Sequence, residues 1–247
     1  MISRSFTHLL RKLSYSGWTG AMVTFLGIDG YERYTKIARL LSRAGCNTIL
    51  DVGSAGISPL RYMGYQCLSC DIKATSKTGL DIVASITHLP FRSKIFDCVT
   101  AVDVLEHVQS DKREQAIFEM KRCGSKVMVH TPLYDGKVFM GEVGDLELYQ
   151  FNKRGCSRID GNVLEHIINR EPSPSELQKH GFKIVEPDWN LKTWLIFMKL
   201  QSLRGLFPGV LGYLFSGLIS LILIPLYLVI LRNINNPPYW GGYLTFG

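Results

Sequence analysis

The sequence predicts an α/β fold with a mostly parallel sheet and helices on both faces, and three observations carry that expectation. Short apolar, β-branched runs recur between residues 48 and 130, helix-period segments separate several of them, and the first run ends in a glycine-bearing turn. Parallel strands need a crossover long enough to hold a helix, so this alternation is their signature. A chain of 247 residues accommodates one such domain with additions rather than two complete ones.

The elements follow in order. Across 31–43, Tyr34, Ile37, Ala38 and Leu41 recur at helical spacing and Gly45 supplies a stop. The run 48–53 reads as a strand buried on both faces that enters a tight turn. Further strand signals lie at 66–71, 97–102 and 126–130, with a helix over 111–122. The stretch 132–158 reads as loop-rich, and its aromatic and charged residues suggest a cap or substrate lid reaching to residue 170. Ser173, Pro174 and Glu176 have the spacing of a helix start, because the Ser hydroxyl caps, Pro fits the first turn and Glu reaches back. Gly181 ends that helix, 182–185 forms the next strand, and 243–246 forms the last. The predicted organisation is an amphipathic segment at 1–30, the main domain at 31–190 with a lid at 132–170, a hydrophobic insertion at 191–235, and the last strand within 236–247.

In open parallel sheets the ligand lies beyond the carboxyl ends of the strands. The first strand ends in Asp51-Val-Gly-Ser-Ala-Gly56, where small residues let a ligand approach the backbone closely. The second ends at Asp71, about twenty residues on, where a carboxylate accepts hydrogen bonds from both hydroxyls of a ribose. Gly53 and Gly56 do not supply the three-glycine spacing that cradles a pyrophosphate. The pair therefore describes an adenosine site without phosphates better than a dinucleotide site.

The segments His88-Leu-Pro-Phe91 and Phe96-Asp97-Cys-Val-Thr-Ala-Val-Asp103-Val-Leu-Glu-His107 closely resemble the corresponding stretch of the S-adenosylmethionine-dependent methyltransferases that include the ubiquinone and menaquinone biosynthesis enzymes. The resemblance covers roughly 48–132. It implies a Rossmann-like class I methyltransferase fold with a seven-stranded, mostly parallel sheet, and S-adenosyl-L-methionine as methyl donor. By that resemblance Asp51, Gly53, Ser54 and Gly56 hold the methionine part of the donor, Asp71 holds its ribose, and Ile72 lies against the adenine. The family usually has an acidic residue near the adenine amino group where this chain has Ser85, so Ser85 and the backbone of Ile86 are the substitutes. Ala55 and Ile57 also depart from the family's glycine turn.

A hydroxyl acceptor must lose a proton as it attacks the methyl group, so a base is expected. Asp103, at the fourth strand's end, and Glu106 and His107 just after it face the donor's rim. His107 is the first candidate base, with Glu106 beside it; His130, Glu165 and His166 are further candidates. Each of these also reads as a structural residue that caps or packs its own element.

The formal charge of +7 suits nucleic acid or an anionic membrane face equally. Between 205 and 231 there is no charged side chain, and Arg204 and Arg232 bracket the stretch. About twenty helical residues cross a bilayer's hydrocarbon core, so this block favours the membrane, and without a base-stacking motif or separate basic module no nucleic-acid partner is expected. Because the last strand must return to the sheet, the expectation is an insertion that dips into one leaflet, broken at Gly212, Gly217 or Pro225, with 191–203, including Trp194 and Phe197, as its interfacial arm. A plain tail anchor is the rival. Lys192, Lys199 and Arg204 put the catalytic domain on the cytoplasmic side in both cases. Arg4, Arg11 and Lys12 sit in a segment without the continuous apolar core of a signal peptide, which fits a surface helix. The six cysteines read as reduced thiols. Cys67 and Cys70 lack a second ligand pair, read as buried strand residues, and leave no metal site expected. The functional expectation is methylation of a lipid, quinone-type or lipid-linked sugar acceptor at the membrane. The alternatives are a tethered methyltransferase for a soluble small molecule and a catalytically silent scaffold.

Overall fold

The computed structural model describes residues 28–73, 80–156, 161–207, 211, 215, 218–219 and 236–247. They form two compact units. One comprises Glu32–Thr131, Pro172–Glu186 and Gly242–Gly247, and the other draws on Pro132–Glu171 and Pro187–Gly241.

The first unit is built on a seven-stranded sheet: β1 (Thr48–Val52), β2 (Gln66–Asp71), β3 (Ile82–Val83), β4 (Phe96–Val102), β5 (Gly124–Pro132), β6 (Lys183–Pro187) and β7 (Gly241–Phe246). Their spatial order is β3-β2-β1-β4-β5-β7-β6. The sheet is mostly parallel with one antiparallel pair, and β1 lies between β2 and β4 with Leu50 opposite Leu68 and Val99. Ile49, Leu50, Asp51 and Val52 are all buried, which is why β1 reads as an unbroken apolar run interrupted by a single acid. Asp97 fixes the start of this pairing by accepting the backbone N–H groups of Asn47 and Thr48 at 2.9 Å each.

Helix α1 (Ile28–Arg43) starts three residues earlier than its apolar periodicity predicts and lays Ile37 and Leu41 against Ile49, Leu60, Cys67, Cys98, Met128 and Tyr243. Helix α2 (Pro59–Tyr62) follows the β1 turn, and α3 (Arg113–Cys123) crosses from β4 to β5. Cys67 and Cys70 are buried strand residues, as their pattern indicates.

The second unit corrects two expectations. The stretch 132–158, expected to be loop-rich, contains α4 (Gly141–Phe151) and a five-residue π-helical turn, and α5 (Gly161–Asn169) follows within the expected lid. The glycines that obscure α4 in sequence have a packing role. A Cβ at Gly141 would lie 2.7 Å from the Trp240 carbonyl oxygen, and one at Gly144 would lie 2.8 Å from Leu191 Cδ1. Back in the sheet unit, the short helix α6 (Pro174–Lys179) carries the expected capping box, with Ser173 and Glu176 each bonding the other's backbone. Such a cap contributes on the order of 1 kcal/mol.

The second correction concerns α7 (Leu191–Ser202). Trp194 and Phe197, assigned to an interfacial arm, are buried within this unit. Trp194 stacks on Trp240 with centroids 4.6 Å apart, and Phe197 packs edge-on against Trp189 at 5.0 Å. Trp189 and Trp194 thus share a core with Trp240, a partner some fifty residues away that the local apolar pattern does not reveal. Among the described residues no helix is long and apolar enough to cross a membrane. The expected N-terminal amphipathic segment and most of the 205–231 block lie outside the described residues.

Candidate functional site

The carboxyl ends of β1 and β2 are bonded into one constellation. Gly53 turns the chain out of β1 at φ +73°, a conformation that disfavours any side chain, and a Cβ there would fall 2.4 Å from Val104 Cγ2. Its N–H and that of Ser54 donate to the Cys70 carbonyl at 2.8 and 3.3 Å. Ser54 Oγ donates to the Gly56 carbonyl at 2.7 Å and closes the turn on itself. Ala55 is held at φ +52°.

Asp71 joins the two loops. One carboxylate oxygen accepts the N–H of Ala55 at 2.9 Å and the other accepts the N–H of Lys73 at 3.0 Å. Each oxygen has a second lone pair, so capacity for two further donors remains. Ile72 beside it is largely exposed, an apolar surface of the sort a base ring covers. The carbonyl of Asp71 accepts the N–H of Ala84 at 3.0 Å and so brings Ser85 and Ile86 to the same strand ends. Ile86 is buried, while the Ser85 hydroxyl bonds the Thr87 hydroxyl at 2.8 Å.

Asp51 lies under this surface. It is wholly buried and accepts hydrogen bonds from Thr100 Oγ1 at 2.6 Å and Tyr34 Oη at 3.2 Å. Burial pushes its carboxyl up to about 6, against the pull of the Thr100, Ser58 and Tyr34 hydroxyls. These bonds tie it to α1 and β4. The aromatic and hydroxyl partners had no signature in sequence, since Tyr34 reads only as one more apolar position of α1.

At the end of β4, Asp103 adopts φ +54°, its N–H donates to the His130 carbonyl at 3.0 Å, and its carboxylate meets the Arg33 guanidinium and, at 2.7 Å, His130 Nδ1. His130 has no exposed surface and packs its ring 4.6 Å from that of Tyr243. It also contacts Asp103, a pairing that 26 intervening residues hide from the sequence. Glu106 is also fully buried and accepts the Thr131 hydroxyl at 2.9 Å. His107, in the short 3₁₀ turn Leu105–His107, is only half-buried. Of Glu106, His107 and His130 it alone keeps surface exposed. His166 belongs to the other unit, where its Nδ1 lies 2.6 Å from Asp145 Oδ2.

This arrangement fits the adenosine end of S-adenosylmethionine. It offers a carboxylate with spare acceptor capacity at a strand end, an exposed aliphatic side chain next to it, and a turn whose backbone is unshielded by large side chains. Residues 50–126, which include the Gly53 turn and Asp71, match the family model described as a methyltransferase domain. No curated protein matches the chain. Solved structures similar to it include one described as a sarcosine dimethylglycine methyltransferase from Galdieria sulphuraria, with 12% identity, 85% of this chain and 83% of that one covered, and a TM-score of 0.49. The YcgJ protein from Bacillus subtilis has 16% identity, coverage of 86% and 95%, and a TM-score of 0.45. The glycopeptide N-methyltransferase MtfA complexed with sinefungin has 10% identity, coverage of 41% and 55%, and a TM-score of 0.34.

Proposed function

We propose that this chain methylates a lipid, quinone-type or lipid-linked sugar acceptor at a membrane surface, with S-adenosyl-L-methionine as donor. The observation that carries the donor assignment is Asp71, whose carboxylate ends β2 and is tied through Ala55 to the β1 turn. When bound, the donor supplies a methyl group on a sulfonium for in-line displacement by the acceptor's nucleophile. In this reading Asp71 receives the ribose hydroxyls, Ile72 covers one face of the adenine, and the Gly53–Gly56 backbone approaches the methionine portion. Such alignment of reactants can be worth about 7–11 kcal/mol.

His107 is the proposed base. Its partly exposed imidazole is more accessible to an acceptor than the buried Glu106 or the Asp103-paired His130, and a positioned base contributes about 10²- to 10⁴-fold. The membrane reading draws support from the charge-free 205–231 stretch and from Leu206, Phe207, Leu211 and Leu218, which are exposed. The place of β7 inside the sheet supports an insertion that returns to the side it left, because a single crossing would separate β7 from β6. Basic residues before the stretch favour a cytoplasmic catalytic side.

Calorimetry on the detergent-solubilised chain tests the donor site. Asp71→Asn removes charge-assisted hydrogen bonds worth about 1.5–3 kcal/mol, so the dissociation constant for S-adenosylmethionine is expected to rise about 10- to 100-fold. No heat with the unmodified chain rejects the methyltransferase reading in favour of a silent scaffold, the alternative to which Ala55 and Ser85 point. Labelled donor with a total lipid extract is expected to mark a lipid fraction, with turnover falling in His107→Asn. Label confined to water-soluble molecules rejects the lipid acceptor.

A further inference from the structure

Three ionisable side chains with no part in the donor constellation meet inside the helical unit. Asp145 comes from α4, His166 from α5, and Glu171 from the segment that follows α5. His166 Nδ1 lies 2.6 Å from Asp145 Oδ2 and 3.5 Å from Glu171 Oε1, and the three side chains are 9%, 2% and 1% exposed in the order His166, Asp145, Glu171. One ligand atom from each lies within 4.8 Å of the others. The unit around them is apolar, with Leu148, Val163, Trp189, Trp194 and Trp240 in its core.

We propose that Asp145, His166 and Glu171 bind one divalent transition-metal ion. Ligand chemistry is the first argument. Two carboxylates and one imidazole bring oxygen and nitrogen ligand atoms to one buried point, the mixed set that first-row divalent ions take.

Geometry is the second. A first-row ion held about 2.0–2.2 Å from nitrogen and oxygen ligands sets those atoms roughly 3.0–3.5 Å apart. The His166–Glu171 separation already has that value, and the His166–Asp145 pair needs to open by less than about 1 Å. Asp145 is also oriented as a ligand is, for its other oxygen accepts the Trp240 indole N–H at 2.9 Å and Oδ2 is thereby turned toward His166. One nitrogen and two carboxylate oxygens suit ions such as Zn²⁺ and Mn²⁺. Imidazole and carboxylates ligate only in their deprotonated forms, so binding weakens as pH falls. Its structural effect is to tie α4 to α5.

The full chain, stripped with chelator in detergent, is titrated with Zn²⁺ and separately with Mn²⁺ in the absence of methyl donor. One equivalent is expected to bind at micromolar or lower concentration and raise the melting temperature. Glu171→Gln, which keeps the side chain's size, and His166→Ala are each expected to weaken binding at least tenfold. Bound Mn²⁺ in the unmodified chain is expected to broaden the Trp240 indole resonance, a readout that does not depend on either variant folding. Failure of both ions to bind, equal affinity in Glu171→Gln, or an unbroadened Trp240 resonance with Mn²⁺ bound overturns the proposal.

Discussion

Asp51 in the sheet unit and Asp145 in the helical unit are both buried carboxylates, and the protein solvates them by opposite means. Asp51 is surrounded by neutral hydroxyl donors, from Thr100, Ser58 and Tyr34. Asp145 accepts an indole N–H and faces an imidazole that can itself carry charge. Neutral donors leave the proton equilibrium of a carboxylate to burial, so Asp51 titrates late. An ionisable partner instead makes the charge of the pair a joint property, which a cation can complete. The lesson is that a buried acid among neutral hydroxyls is a tie between elements, whereas a buried acid beside histidine is a candidate site.

The largest expected effect breaks the comparison on pH. Asp51 titrates at about 6 in the folded chain against 3.8 unfolded, a gap worth about 3 kcal/mol. Between those values the unfolded chain ionises while the folded chain keeps its proton, so stability falls as pH rises from 4 to 6 and levels off above. Denaturant unfolding at stepped pH measures this slope, and Asp51→Asn is expected to flatten it. An unchanged slope in that variant would mean the carboxyl ionises freely in the native state.

A middle-sized effect tests the other unit. Trp240→Phe keeps an aromatic surface for Trp194 but removes the donor to Asp145, and a buried charged group losing one hydrogen bond costs about 1.5–3 kcal/mol. Tryptophan fluorescence reports chiefly on this unit, because Trp189 and Trp194 both remain there in the variant. Unchanged unfolding midpoints would show that Asp145 finds its compensation elsewhere.

The smallest effect sharpens the picture of the ligand turn. Ala55 at φ +52° occupies a conformation that disfavours a Cβ by about 1–2 kcal/mol, part of which glycine forfeits through its freer unfolded chain. Ala55→Gly is expected to stabilise by roughly 0.5–1 kcal/mol, seen as a higher denaturant midpoint. A lower midpoint would indicate that the methyl group packs usefully despite its strain.

The sheet unit was largely readable from sequence because each of its signals is local. β1, the Gly53 turn, Asp71 and the Ser173 cap are all written in a handful of consecutive residues whose backbone needs dictate them. The helical unit was not readable, for two reasons. Gly141 and Gly144 look like helix breakers, although each is there to admit a neighbouring chain. The aromatic core joins Trp189, Trp194 and Trp240 over dozens of residues, so Trp194 and Phe197 looked like membrane anchors until their partners were known. Charge misled in the same way at Glu106, where an acid expected on the rim is wholly buried with Thr131. The pairings of Asp103 with His130 and of Asp145 with His166 exist only once the chain has folded.

Strand β7 is drawn from the last residues of the chain yet sits between β5 and β6. During vectorial synthesis, then, both flanking strands wait with an open ladder edge until the 205–231 stretch and the residues after it have emerged. Maturation of the sheet is thereby deferred until the intervening chain has been made, and an assembly order is written into the topology.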